Sequence, residues 1–156
     1  MPEAKFTPDE WRGRCLNYFA RFEAAVRKSL ETAQAAGRQD KIRHLAGQQL
    51  ADLISLSEEI EGTSRQLKAF STALNSWRLI ESRRQFLAHG VGTVANEPNG
   101  DWIMILDVTV YRGNSRQDHR WAVRQQEAET FVDDLAKAFK DMSGQLGHFR
   151  KRVQET

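Results

Sequence analysis

Several features that mark particular protein classes are scarce in this sequence of 156 residues. A single cysteine, Cys15, excludes an internal disulfide. The longest apolar run is Trp102 to Leu106, far shorter than the ~18 residues that a membrane span needs. Basic and acidic residues nearly balance, 23 against 21, which excludes a uniformly basic coat for nucleic acid. These absences leave a single globular domain with no membrane segment as the expected class.

The sequence also lacks the usual marks of metal, cofactor and export. No cluster of cysteine and histidine and no glycine-rich phosphate loop is present, so we expect no metal and no cofactor. The first residues, MPEAKFTPDEW, have no apolar stretch of the kind that a secretory signal requires. Cys15 falls on an apolar face and is interpreted as a packed thiol. A cytoplasmic location is expected.

What the sequence does contain is apolar residues at helical spacing. The first predicted helix begins near Pro8, which suits a first helical turn, and Thr7 or Asp9 can cap it. It ends at Gly37. The second runs from Asp40 to near Gly62. The apolar stripes of the four predicted helices are Trp11, Cys15, Phe19, Phe22, Val26 and Leu30; then Ile42, Leu45, Leu53, Leu56 and Ile60; then Leu67, Phe70, Leu74, Trp77 and Ile80; then Phe131, Leu135, Ala138, Met142, Leu146, Phe149 and Val153.

The third helix is predicted to begin at the capping candidates Thr63 and Ser64 and to continue to His89 and Gly90. After it the apolar period changes to two, which predicts strands over residues 91–95, 102–111 and 120–124. We therefore predict a mainly α fold, a four-helix bundle with a small antiparallel β-hairpin or sheet inserted between helices 3 and 4. The whole chain, 1–156, is one domain with its β insertion at about 91–124.

Residues that could perform chemistry are concentrated at the end of the third predicted helix. At 100° per residue, Arg84 lies in the middle of the apolar stripe of this helix, where a guanidinium must snorkel to solvent, pair with a carboxylate, or open onto a cleft or a partner chain. His89 follows five residues later, beside Gly90. An imidazole can remove the proton of a ribose 2′-hydroxyl or protonate a leaving oxygen, and a guanidinium can hold the phosphate. Arginine and histidine are therefore a minimal set for cleaving RNA without a metal ion.

The segment Arg84-Gln-Phe-Leu-Ala-His89-Gly90 resembles the signature of HEPN domains, which are small helical proteins of microbial defence and toxin–antitoxin systems. Their motif is an arginine, four to six residues and a histidine, with a polar residue straight after the arginine. The resemblance implies a homodimer and, in active members, a metal-independent endoribonuclease. It also implies that Arg84 contacts phosphate, that His89 is the acid or base, and that Gln85 takes the polar position.

Three alternatives remain open for this segment. Arg83 also satisfies the spacing, so the motif arginine is Arg83 or Arg84. The bare spacing occurs elsewhere, because an arginine also precedes His44 and His119 at similar distances, although neither follows a long apolar helix. Finally, His89 could simply stabilise a helix C-terminus, with Gly90 as the left-handed residue that follows it.

The second strand region is locally basic. Residues 108–124 contain four arginines and only one aspartate, together with the aromatic residues Tyr111 and Trp121. This composition makes the region a candidate surface for RNA phosphates and bases. The simpler interpretation is a solvated hairpin whose charged edges prevent aggregation. The candidate RNA contacts are Arg112, Arg116, Arg120, Trp121 and Arg124.

Two functions follow from these patterns. The first is a HEPN-like, metal-independent endoribonuclease that acts as a homodimer through Arg84 and His89, of the defence or toxin–antitoxin type, with RNA as its substrate and an antitoxin as a further partner. The second is a non-catalytic HEPN-like module that dimerises or binds a protein partner or a nucleotide. In that case Arg84 would fix an interface and His89 would only end the helix.

Overall fold

A computed structural model describes residues 4–60 and 64–155 of the chain. The fold is mainly α, as predicted, and a three-stranded antiparallel sheet follows α4. Two predicted features, Gly62 and Thr63, lie outside the described residues, as does the side chain of Ser64. The elements are α1 (Pro8–Ala35), α2 (Ala46–Glu59), α3 (Ser64–Glu81), α4 (Arg84–His89), β1 (Val91–Asn96), β2 (Trp102–Arg112), β3 (Ser115–Arg124) and α5 (Gln125–Glu155).

The ends of α1 are formed as the sequence predicts. The backbone N–H of Glu10 donates to Thr7 Oγ1 at 3.2 Å, and the N–H of Thr7 donates to Glu10 Oε2 at 3.3 Å, which is a capping box. At the other end Gly37 has φ of +74°. That left-handed conformation lets the N–H of Arg38 reach the carbonyl of Ala33 at 2.8 Å and close the helix.

The prediction of an uninterrupted third helix is wrong. Helix α3 ends at Glu81, and α4 begins separately at Arg84. Between them Ser82 Oγ donates to the carbonyl of Leu79 at 2.7 Å, and the N–H of Arg83 donates to the carbonyl of Ile80 at 3.0 Å. Such bonds to the third preceding residue tighten the chain into a turn in place of the helical ladder. The predicted sheet consequently lies between α4 and α5.

Two further boundaries differ from prediction. Helix α2 begins at Ala46 instead of Asp40, and no side-chain hydrogen bond caps its N-terminus. Leu45, which was predicted to lie in the core stripe, is therefore outside the helix and 64% exposed. Strand β3 begins at Ser115, five residues before the predicted start, because the tight turn at Gly113 (φ +61°) keeps the two strands paired to their tips.

The sheet has the order β1-β2-β3, with antiparallel pairing throughout. Met104 lies opposite Val123, and Leu106 lies opposite Trp121, so these four side chains share one face. Strand β2 alternates between buried and partly exposed positions from Trp102 to Val108, as period-two patterning predicts.

The chain divides into two compact units. The first contains the described part of Met1–Phe19 together with Leu79–Ala136, and the second contains the described parts of Ala20–Arg78 and Lys137–Thr156. In the second unit the Phe22 and Trp77 rings pack with centroids 4.1 Å apart. There Arg150 Nη1 also donates to the buried Ser29 Oγ at 3.0 Å. The apolar stripe of α5 is buried in these units, as predicted, at Leu135, Ala138, Met142, Leu146, Phe149 and Val153.

In the first unit Trp11 and Trp102 anchor the start of the chain. Trp11 Nε1 donates to the carbonyl of Ala128 at 2.8 Å, and Trp102 Nε1 donates to the carbonyl of Phe6 at 3.0 Å. Both indoles are buried, and each satisfies its only donor. None of the helices in the described ranges has an apolar stretch long enough to cross a membrane.

Cys15 is fully buried, which supports its interpretation as a packed thiol, and burial raises the pKa of this thiol from 9.0 to about 12. The folded state therefore holds the thiol proton more tightly than the unfolded state does. This contribution to stability is complete below pH 9 and declines as pH rises from 9 toward 12.

We expect iodoacetamide to leave native Cys15 unmodified at pH 8 and to modify it after denaturation. Above pH 9 the free energy of unfolding of the wild type should fall more steeply with pH than that of Cys15→Ala. Rapid labelling of the native protein would contradict the burial of the thiol.

Candidate functional site

The motif segment forms a helix of its own. Arg84 is the first residue of α4, and His89 is the last. His89 is exposed, whereas Leu87 between them is fully buried and fixes the helix in the first unit. The buried leucine thus holds α4 so that its terminal histidine side chain reaches solvent.

Arg12, on α1, secures the end of this helix. Its Nε donates to the carbonyl of Leu87 at 2.8 Å, and its Nη2 donates to the carbonyl of Gly90 at 2.7 Å. These two carbonyls flank His89, and a cation at a helix C-terminus is also favoured by the direction of the peptide dipoles. The backbone that carries His89 is therefore held on both sides by one guanidinium.

Gly90 serves close packing rather than a left-handed turn. Its φ and ψ are −68° and 140°, which is an extended conformation, so the left-handed cap predicted as one alternative is wrong. The N–H of Gly90 donates to the carbonyl of Phe86 at 2.9 Å. A Cβ atom at this position would overlap that carbonyl oxygen and lie 3.2 Å from Leu106 Cβ. The absence of a side chain allows α4 to lie directly against β2.

Arg84 and His89 leave α4 in different directions. Five residues along an α-helix correspond to a rotation of about 140° and a rise of about 7.5 Å. Arg84 is half-buried and already has an interaction partner within the chain, and its Nε is shielded from solvent. The break before α4 also removes the premise that Arg84 continues the apolar stripe of α3. Gln85 is exposed beside it.

Arg83 occupies a different environment from Arg84. Its guanidinium carbon lies over the Trp121 ring, 4.8 Å from the ring centroid, and 6.0 Å from that of Phe86. Within the described part of the chain no carboxylate pairs with it, and the side chain is exposed. The structure therefore brings one motif candidate, Arg83, together with one predicted RNA contact, Trp121.

The Trp121 ring belongs to an aromatic cluster. Its centroid lies 5.3 Å from that of Phe131, 5.8 Å from that of Trp11 and 6.1 Å from that of Phe86. Because neighbours hold the indole on several sides, the ring over which Arg83 lies has a fixed position.

A cleft of about 730 Å³ opens beside this pair. It is lined by Arg83, by the end of β3 (Trp121, Val123, Arg124) and by the first turns of α5 from Gln126 to Asp134. Two of its carboxylates, Glu127 and Asp134, lie on the α5 wall. Glu127 Oε1 accepts the N–H of Arg124 at 3.2 Å, which caps α5.

Three of the predicted RNA contacts are engaged in ion pairs. Arg120 pairs with Asp107 at 2.7 Å, Arg116 with Asp118 at 3.1 Å, and Arg124 with Glu97 at 3.1 Å. The hydrogen bond from Arg120 lowers the pKa of the Asp107 carboxyl, and hydrogen bonds from Thr109 and Arg116 lower that of Asp118. Local charge is thereby balanced at these pairs, which favours the charged-hairpin interpretation. Arg112 is exposed near the hairpin tip.

Sequence reasoning missed Arg12. Nothing in its local pattern distinguishes it from the exposed Arg14, because its acceptors are backbone carbonyls 75 and 78 positions away.

No group of three or more His, Cys, Asp and Glu side chains in residues 4–60 and 64–155 could hold a metal ion. No protein-family model, curated protein or solved structure matches the chain.

Proposed function

We propose that this chain is a HEPN-like endoribonuclease that cleaves RNA without a metal ion, as a cytoplasmic homodimer, through Arg84 and His89. The proposal includes the four-helix bundle predicted from the helical spacing, built from α1, α2, α3 and α5, and a role in defence or as the toxin of a toxin–antitoxin pair. One observation carries it: His89 is an exposed imidazole on a backbone that Arg12 holds at both flanking carbonyls. Acid–base catalysis requires an imidazole that the substrate can reach, and a held backbone limits the positions that this imidazole can take.

The proposed reaction uses the substrate's own nucleophile. The ribose 2′-oxygen attacks the phosphorus, the bond from phosphorus to the 5′-oxygen breaks, and a 2′,3′-cyclic phosphate and a 5′-hydroxyl result. One histidine accepts the 2′-hydroxyl proton, and a second protonates the leaving 5′-oxygen. Arg84 stabilises the negative charge on the phosphate.

The homodimer is part of the mechanism. One chain supplies a single His89, whereas the reaction uses an acid and a base at once. The rotation of about 140° between Arg84 and His89 along α4 directs the two side chains apart within one chain. A two-fold dimer would place two copies of each residue around one phosphate.

The experiment compares wild type with His89→Ala and Arg84→Met on a labelled RNA pool in excess chelator. Cleavage should leave cyclic phosphate ends, should spare a DNA strand of the same sequence, and should be lost in both variants while their circular dichroism and Tm stay near wild type. His44→Ala and His119→Ala are matched controls, because both histidines follow an arginine at similar spacing but lie outside α4. Loss of cleavage in the controls, or its persistence in His89→Ala, would contradict the assignment.

A second function, a non-catalytic binding module, is favoured by one observation. Arg84 is half-buried and already has a partner within the chain, which is the environment of a structural arginine. In that case pure dimeric wild type cleaves no RNA. Binding of a protein partner would then depend weakly on salt, whereas binding of RNA through phosphates weakens steeply with salt.

A further inference from the structure

We propose that Arg83 and Trp121 form a binding subsite for one nucleotide of single-stranded RNA, outside the Arg84–His89 motif. This inference deepens the proposed function, since it names a second contact to the same substrate class. The subsite consists of the cleft described above, with Arg83 at one wall and the start of α5 at the other.

Arg83 is suited to hold a phosphate. It is exposed, and within the described residues its guanidinium interacts only with aromatic rings, whereas the guanidinium groups of Arg116, Arg120 and Arg124 are paired with carboxylates. The indole of Trp121 supports one side of the guanidinium at 4.8 Å and leaves its N–H groups to a ligand. A guanidinium that is already oriented loses less side-chain entropy when it binds a phosphate.

The cleft beside Arg83 is suited to hold a base. Trp121 and Phe131 contribute aromatic surface to its lining, and an unstacked base can lie against an aromatic ring or a guanidinium plane. A double helix keeps its bases stacked inside, so this arrangement favours a single strand.

The carboxylates of the cleft set the orientation of the nucleotide. Glu127 and Asp134 lie on the α5 wall and repel a phosphate there, which leaves the phosphate at Arg83 and the base toward α5. Glu127 Oε1 already accepts the amide N–H of Arg124, so we assign the contact with the base to the exposed carboxylate of Asp134. A carboxylate accepts hydrogen bonds from the exocyclic amino group of cytosine, whereas uracil has a carbonyl oxygen at that position, which a carboxylate repels. The subsite should therefore prefer cytidine to uridine.

The experiment measures binding, so its outcome does not depend on cleavage. Fluorescein-labelled twelve-residue strands of cytidine (C12) and uridine (U12) are titrated by fluorescence anisotropy in chelator. The protein is the full chain carrying His89→Ala, which prevents cleavage of the probe. We expect Arg83→Met to weaken binding of C12 by about tenfold, since one stacked and charged contact has that order of effect. Arg83→Lys should recover only part of it, because an ammonium lacks the planar group that lies over Trp121.

Arg14→Met is the matched control, because it removes the same charge from an exposed arginine that also lies over an aromatic ring but is outside the cleft. Equal weakening by Arg83→Met and Arg14→Met would overturn the subsite and leave only general electrostatic attraction. Asp134→Ala, which removes the acceptor, should abolish the preference for C12 over U12, and an unchanged preference would overturn the assigned orientation. A wild type that binds C12 in this way but cleaves no RNA would refute the proposed nuclease and leave the subsite standing.

Discussion

Replacing Gly90 by alanine is expected to lower the free energy of unfolding by about 2–4 kcal/mol, since a backbone hydrogen bond is broken and a packed contact is overfilled. The added Cβ would overlap the Phe86 carbonyl oxygen that now accepts the N–H of Gly90, and it would press on the buried Leu106 side chain. Neither neighbour can yield cheaply, because one is backbone and the other is held in the core. Thermal unfolding should show a Tm lower by roughly 6–12 °C.

Gly144→Ala is the control for this substitution. Gly144 lies inside α5, and a Cβ built there meets no atom within 4 Å. Alanine should therefore raise the free energy of unfolding by about 0.5–1 kcal/mol, because it lowers the entropy of the unfolded chain and favours the helix. If Gly90→Ala were as stable as Gly144→Ala, the close contact between α4 and β2 would be refuted.

Arg12→Met should lower the free energy of unfolding by about 2–4 kcal/mol. The substitution keeps the length of the side chain but removes two charge-assisted hydrogen bonds, to the carbonyls of Leu87 and Gly90. The released carbonyls flank His89, so amide exchange in α4 should rise and the proposed cleavage should fall with it. Chemical denaturation and hydrogen exchange measure the first two effects.

Arg14→Met provides the comparison on the same helix. Arg14 is exposed and lies over the Phe6 ring at 4.8 Å, a contact worth about 0.5–1 kcal/mol at most. Arg14→Met should leave amide exchange in α4 unchanged. Equal destabilisation by the two substitutions would mean that Arg12 acts through its general charge and not through the two carbonyls.

The sequence predicted those parts of the fold that depend on regular patterns. The stripe from Trp11 to Leu30 is buried throughout, and the three strands lie where the period changes to two. The break after Glu81 could not be predicted, because no glycine or proline marks it. The turn is formed by two bonds, from Ser82 Oγ to Leu79 and from the N–H of Arg83 to Ile80, and no sequence pattern indicates them.

The candidate site was predicted less completely than the fold. Arg84, His89 and Trp121 could be singled out by residue type, but the contact of Arg83 with Trp121 joins residues far apart in the chain. Local pattern carries no information about such a pair. The ion pairs of the hairpin arginines could not be predicted either, because the pairing of Arg120 with Asp107 depends on the register of β2 and β3.

The separation between Arg12 and the carbonyls that it holds has a consequence for the order of folding. Arg12 bonds to Leu87 across 75 positions, and its neighbour Trp11 bonds to Ala128 across 117. Contacts that close such long loops form late, because the entropy lost in closing them is recovered only when most of the unit is assembled. A chain still under synthesis carries His89 long before Ala128 exists. The indole of Trp11, next to Arg12, therefore gains its acceptor only after the start of α5 has been made, and a chain that stops before Ala128 would lack this bond beside the motif.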